Sequence, residues 1–211
     1  VVAFLTGWIA NNYGLRPYPF YIGIGMAIVG LLMSWLFVTD TNKHVKLEVT
    51  SSNISKLENL FWETTWHHKN LGSITQAGLV NNLNDGMVWG LFPLLLASKG
   101  FDLHQIGIIV ATYPAVWGLG QLYSGKLADQ YCKKTLLFIG MLIQGIALLG
   151  MVSANSFSLF IILSSFLGIG TAIVYPTFLA AISDYTHPDQ RPKSIGIFRL
   201  WRDLGYAIGA V

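Results

Sequence analysis

Apolar residues run through this chain in long charge-free stretches, with neither the alternation of a half-buried strand nor the one-sided stripe of a surface helix. Pro17–Thr39, Leu103–Gly125 and Thr135–Ser183 contain no Asp, Glu, Lys or Arg, and Asn70–Ser98 contains only Asp85. A helix needs about 20 such residues to cross a hydrocarbon core ~30 Å thick at ~1.5 Å per residue. The longest stretch divides at Ala154-Asn155-Ser156, so the pattern predicts five complete spans, near 18–38, 72–97, 105–124, 135–153 and 157–182. Val1–Ala10 and the residues from Ser194 onward read as half-helices, and the whole as a fragment of an all-α, polytopic membrane protein.

Composition agrees: 53% of the 211 residues are hydrophobic and only 11% charged, well below the roughly 25% of a soluble domain. The formal net charge of +3 would fit an acidic partner such as nucleic acid, but its placement points to a membrane. Threading the chain back and forth puts eleven of the thirteen basic residues on one side, leaving Arg16 and Lys99 on the other. The positive-inside rule makes the rich side cytoplasmic, in a multi-pass protein of the inner or plasma membrane. The single Cys132 excludes an intrachain disulfide.

The polar stretch 39–71 is the one sizeable loop and separates a first helical unit, 1–38, from a second, 72–211. Within this cytoplasmic linker, Ser55-Lys-Leu-Glu58 has capping-box spacing, and Leu57, Leu60, Phe61 and Trp66 recur at helical intervals. A short helix lying at the membrane surface is expected there.

Between the third and fourth complete spans stands Gly125-Lys-Leu-Ala-Asp129-Gln-Tyr-Cys132-Lys133-Lys134, read as a tight turn. Glycine lets backbones approach, a carboxylate suits a helix N-terminus, and basic residues hold the cytoplasmic side. The segment resembles the signature loop of the major facilitator superfamily, in the copy between that family's helices 8 and 9. Gly14-Leu-Arg16 with Phe20 resembles the turn between helices 5 and 6, and Asp184–Arg191 with Ser194 and Gly196 resembles the loop between helices 10 and 11. Cys132 departs from the pattern, which usually has glycine there, so a differently shaped turn is expected. The resemblance implies a helical bundle running from mid-helix 5 to mid-helix 11. It also implies a gating cluster of Asp129, Lys133 and Asp184 with Gly125, Lys134 and Arg191 around it, in a protein that is a monomer when intact. These charges could equally serve only to anchor loops and fix topology.

Asp85 is the one charge deep in a span, and an ionised carboxylate there costs ~2.5–3.5 kcal/mol unless it faces a cavity or partner. At helical spacing Asn81 and Asn84 share its face while Asn82 points away. Tyr113, Gln144 and Tyr175 add polar groups near the middles of other spans, and Arg199, Arg202 and Asp203 open the last helix as cavity or interface charges. Interhelical hydrogen bonding without a ligand is the alternative reading of this set. Gly118, Gly120, Gly168 and Gly170 read as helix-contact residues.

An intramembrane enzyme is disfavoured, because His44, His67, His68, His104 and His187 all lie outside the spans. The same absence, with no mid-span Lys, argues against haem or retinal, and no phosphate-binding G-x-x-x-x-G-K-[ST] loop is present. No metal or cofactor is expected. What remains is secondary transport of a small-molecule solute by alternating access. Proton-coupled efflux leads, with proton-coupled uptake or a non-transporting scaffold as alternatives. The fragment itself is expected not to transport.

Overall fold

The computed structural model describes residues 16–39 and 42–211, together with Ile9 and Gly14. The half-helix expected over Val1–Ala10 and most of the turn at 11–17 lie outside the described residues. Two compact units are present, Val1–Leu47 and Glu48–Val211. The first contains α1 (Tyr18–Phe37), apolar on all sides, with Pro17 at its N-cap. Helix α2 (Asn42–Ser51), which the sequence reading did not anticipate, carries the chain into the second unit.

The second unit continues with α3 (Leu60–Trp62), which runs into a wide turn over Glu63–His67, and then five long helices. These are α4 (Lys69–Ser98), α5 (Leu103–Gln130), α6 (Lys133–Ser153), α7 (Phe157–Asp184) and α8 (Arg191–Gly209). Local chemistry sets their ends. His68 caps α4 by accepting a hydrogen bond from Leu71 N at 3.3 Å. Gly100, at φ +83°, follows the end of α4, and Asp102 with Gln105 then forms a reciprocal capping box that starts α5. Ser156 caps α7 by accepting from Leu159 N.

Three expectations are corrected. The segment Gly125–Gln130 is the last part of α5, not a turn, because it holds no helix breaker beyond a single glycine; the connection shrinks to Tyr131 and Cys132. Cys132 sits at φ −59°, which any residue adopts. Ser55–Glu58 forms no capping box, and the surface helix starts at Leu60, since Leu57 is held by Gln190 instead. The last helix starts at Arg191, so Arg202 and Asp203 lie three turns in and do not open it.

Four described helices are long and apolar enough to cross a bilayer: α1, α5, α6 and α7. Helix α4 has 30 residues, ample for a span, but Asn81, Asn82, Asn84 and Asp85 lower its hydropathy. Asn81 and Asn82 are buried, at 2% and 9% exposure, so they face protein, while Leu119, Leu122, Leu149 and Val152 turn outward. That inversion suits a lipid solvent.

Helix α7 is the hub, packed between α5 and α6, while α4 pairs with α8. The α6–α7 crossing is close because Gly140 and Gly170 face each other; a Cβ on Gly170 would stand 2.7 Å from Gly140 O. The α4–α8 crossing is closer still. Methyls on Gly205 and Gly209 would collide with the carbonyls of Leu79 and Leu83, and one on Gly86 with that of Tyr206. Gly120 and Gly168 likewise pack against α7 and α5, whereas Gly118 faces open space, contrary to expectation.

Two apolar cores lie at opposite ends of the bundle. Val88, Phe92, Ile109, Met151 and Phe160 fill one. Leu71, Ile74, Val174, Phe178 and Phe198 fill the other.

From Glu48 onward the expected linker is bound to the bundle. Arg191 makes a forked pair with Glu48 at 2.9 and 3.1 Å, and Lys56 pairs with Asp189 at 2.7 Å. Gln190 brackets Leu57, accepting from its N at 2.9 Å and donating to its O at 2.8 Å. Trp201 Nε1 donates to Thr65 Oγ1 at 3.1 Å. The Lys56 ammonium, by hydrogen bond and charge, holds the Asp189 carboxyl below the usual carboxylate range.

Candidate functional site: a polar layer between two apolar cores

The polar residues of α4 fall between the two cores, because Asn81 and Asp85 follow Ile74 and precede Val88 along one helix. Tyr113 is 2% exposed, and its hydroxyl donates to Asp85 Oδ1 at 2.5 Å, joining α5 to α4. A hydrogen bond to an ionised carboxylate is short and strong, and a buried carboxylate without one would be costly. Thr171 Oγ1 of α7 lies 3.3 Å from the same phenol and donates a hydrogen bond to Leu167 O at 3.0 Å. One turn toward the lysine-rich end, Gln144 Nε2 of α6 donates to Asn81 Oδ1 at 3.0 Å, both side chains being buried.

Arg202 enters the layer from α8. Its guanidinium donates to Tyr175 OH at 2.8 Å, lies 5.4 Å from the centre of that ring, and pairs with Asp203 at 2.7 Å. An aromatic ladder connects these groups: Trp89 to Tyr113, Tyr113 to Trp117 nearly parallel at 6.3 Å, and Trp117 to Tyr175 edge-on at 5.9 Å. Trp117 Nε1 is buried with no acceptor among the described residues.

The structure thus brings together Asp85, Tyr113, Gln144, Tyr175, Asn81, Arg202 and Asp203. Asn84 is half-buried on the same helix and Arg199 is exposed, and neither forms a side-chain hydrogen bond or ion pair with the layer among the described residues, whereas the exposed Asp203 joins it only through Arg202. Asn82, expected to point away from Asp85, lies on the buried face with Leu79 and Gly86 that meets α8. Sequence reasoning missed Trp89, Trp117 and Thr171. Each stands four residues from a polar residue it did single out, on the same helix face.

At the lysine-rich end, Lys133 at the start of α6 pairs with Asp184 at the end of α7 at 2.8 Å. Asp129 joins neither of them among the described residues. It stands exposed near the end of α5. Gly125 has open space beside it, and Arg191 reaches Glu48, so the expected single cluster divides into separate contacts. A cavity of about 660 Å³ lies beside the Lys133–Asp184 pair. No group of three or more metal-ligating side chains occurs among the described residues.

A bundle of long, outward-apolar helices with a buried polar layer in its middle defines a polytopic helical membrane protein. Residues 74–211 match the family described as the Major Facilitator Superfamily, and the chain belongs to it. The multidrug transporter AQR1 of Candida glabrata is 26% identical over 138 residues, 65% of this chain and 23% of that protein. The fosmidomycin resistance protein of Escherichia coli is 29% identical over 141 residues, 66% of this chain and 34% of the relative. A probable L-galactonate transporter of Escherichia coli is 27% identical over 111 residues, 52% of this chain and 24% of the relative. The matched stretch is therefore about a quarter to a third of each of these relatives. The relatives are named as transporters or resistance proteins, not as enzymes.

Proposed function

We propose that the intact protein is a secondary active transporter that moves a small-molecule solute across the membrane by alternating access, coupled to protons and running as export. The observation that carries this reading is the Tyr113–Asp85 contact inside a five-helix bundle, at 2.5 Å. A membrane-buried carboxylate held by a phenol is a proton-exchanging group with a defined donor, and its cost is justified where a pathway needs it. Protonation of Asp85 removes the charge that Tyr113 stabilises and loosens α4 from α5. The ladder Trp89–Tyr113–Trp117–Tyr175 offers faces to an apolar solute, and the unpartnered Trp117 N–H offers one donor. At the other end the Lys133–Asp184 pair acts as a latch. Half-exposed ion pairs contribute only ~0–1 kcal/mol, so it opens at little cost. Asp129 remains available to a helix start in the other half of such a fold.

Names that refer to multidrug transport and to fosmidomycin or quinolone resistance favour export. The name that refers to L-galactonate favours proton-coupled uptake as the second reading. A multi-pass, monomeric protein of the plasma or inner membrane, with the unit 1–38 and the linker 39–71 preceding the bundle 72–211, completes the proposal.

The test is flux of candidate solutes by the full-length protein in liposomes carrying a pH gradient, beside Asp85→Asn. The variant keeps the shape and can still accept from Tyr113, but cannot carry a proton. Gradient-driven flux that the variant loses supports the assignment. Flux equal in both moves the proton site elsewhere, and no flux of any solute favours the scaffold.

A further inference from the structure

We propose that the cleft between α4, α6 and α7 on the lysine-rich face binds a phosphate-type anion, supplied by an anionic lipid headgroup or by free phosphate. The cavity of about 660 Å³ is lined by Lys69, Lys133 and Lys134, with Asp184 as the one carboxylate, so three cations against one anion leave an excess of two positive charges. Asp184 is taken by Lys133 at 2.8 Å. Lys69 and Lys134 are exposed and have no ion-pair partner among the described residues.

The backbone adds to the field. Lys69 and Asn70 belong to the first turn of α4, and Lys133 and Lys134 to the first turn of α6, so two helix N-termini border one cavity. Their unpaired N–H groups and dipoles favour negative charge. At the start of α6, the backbone N–H and side chain of Thr135 and the backbone N–H of Lys134 lower the pKa of the exposed Cys132 thiol from its ordinary value. A phosphate oxygen would meet the same donors, with the ammonium groups of Lys69 and Lys134 across the cleft. Tyr131 and Tyr185 supply hydroxyls at the rim, where the bundle leaves the hydrocarbon. Basic pockets between helices at the membrane surface are suited to anionic headgroups.

Cys132 reports occupancy, because only the thiolate reacts and an anion beside it suppresses ionisation and access. The rate of N-ethylmaleimide addition is read at the Cys132 peptide of the full-length protein by mass spectrometry. It is compared in phosphatidylcholine vesicles, in the same vesicles with phosphatidylglycerol, and in phosphatidylcholine with inorganic phosphate against chloride at equal ionic strength. Slowing by phosphatidylglycerol alone identifies the headgroup as the source; slowing by inorganic phosphate as well shows that a free anion suffices. Either effect is expected to disappear in Lys69→Gln, whose changed residue is on α4 and does not touch the α6 N-terminus. It should persist in Lys126→Gln, an equal charge loss outside the cleft. No slowing by either anion, or slowing weakened equally in both variants, overturns the site.

Discussion

Gly205 offers the sharpest test of how this bundle is held together. A methyl at that position points into the backbone of α4, against the carbonyl oxygen, carbonyl carbon and Cα of Leu79. No rotamer change relieves such a clash, so α4 and α8 must part along a crossing that also includes Gly86 and Gly209. Overpacking of this kind costs ~1–3 kcal/mol. Replacing a helical glycine by alanine returns up to about 1 kcal/mol of propensity, which blurs a single measurement. Gly118→Ala supplies the reference, because a methyl there meets nothing within 4 Å and the propensity gain is the same. In the difference between the two variants propensity cancels and strain remains. Gly205→Ala is therefore expected to be ~1–3 kcal/mol less stable than Gly118→Ala, a factor of roughly 5 to 150 in the folding equilibrium. Unfolding of the full-length proteins in dodecyl maltoside micelles titrated with dodecyl sulfate measures it. Equal midpoints for the two variants would refute the close approach of α4 and α8.

Two further tests concern the polar contacts. A double-mutant cycle over Asn81→Leu and Gln144→Leu should give a coupling of ~0.6 to 1.7 kcal/mol in the same titration, with each single change costing more than the pair because it leaves a buried group unmatched; zero coupling would mean that the two amides do not meet. Asp189, held low by Lys56, contributes to the linker clasp above the unfolded carboxylate pKa and loses that contribution as pH falls through its depressed folded value. Hydrogen exchange at Leu57, corrected for intrinsic pH dependence, should thus stay constant from neutral down to about pH 4 and rise only below; loosening already near neutrality would rule out Asp189 as the titrating group.

The helices were legible because lipid imposes a simple rule: about 20 charge-free residues make a span. Pro17–Thr39 and Thr135–Ser183 announce themselves that way. Helix ends were less legible, since α5 continues to Gln130 through a segment read as a turn. Periodicity could mark Asp85 and Tyr113 singly, as polar residues with no business in hydrocarbon, but not their meeting across 28 positions. The linker clasp was invisible for a stronger reason. Gln190 and Leu57 stand 133 positions apart, and neither carries a local signal that anticipates the other. Asp129 shows the converse limit, for a recognisable motif need not bring its members together within one stretch of chain.

The bundle's parts are joined by two kinds of contact with different consequences for motion. Within the pair α4 and α8, and within the trio α5, α6 and α7, backbones touch at glycines such as Gly205 and Gly170, where nothing can replace the contact. Between pair and trio lie Asp85–Tyr113, Asn81–Gln144 and Arg202–Tyr175, with Lys99–Asn155 at the end of α4, together with the two apolar cores. In a bilayer apolar contacts exchange for lipid at small cost, because lipid tails are as apolar as leucine. These polar contacts can likewise be exchanged for water. Relative displacement is therefore easiest between the pair and the trio, and the polar side chains at the boundary are what resist it. Asp85 stands at that boundary with its charge matched by a single phenol, so a change there alters the contact between the two groups of helices before it alters either group.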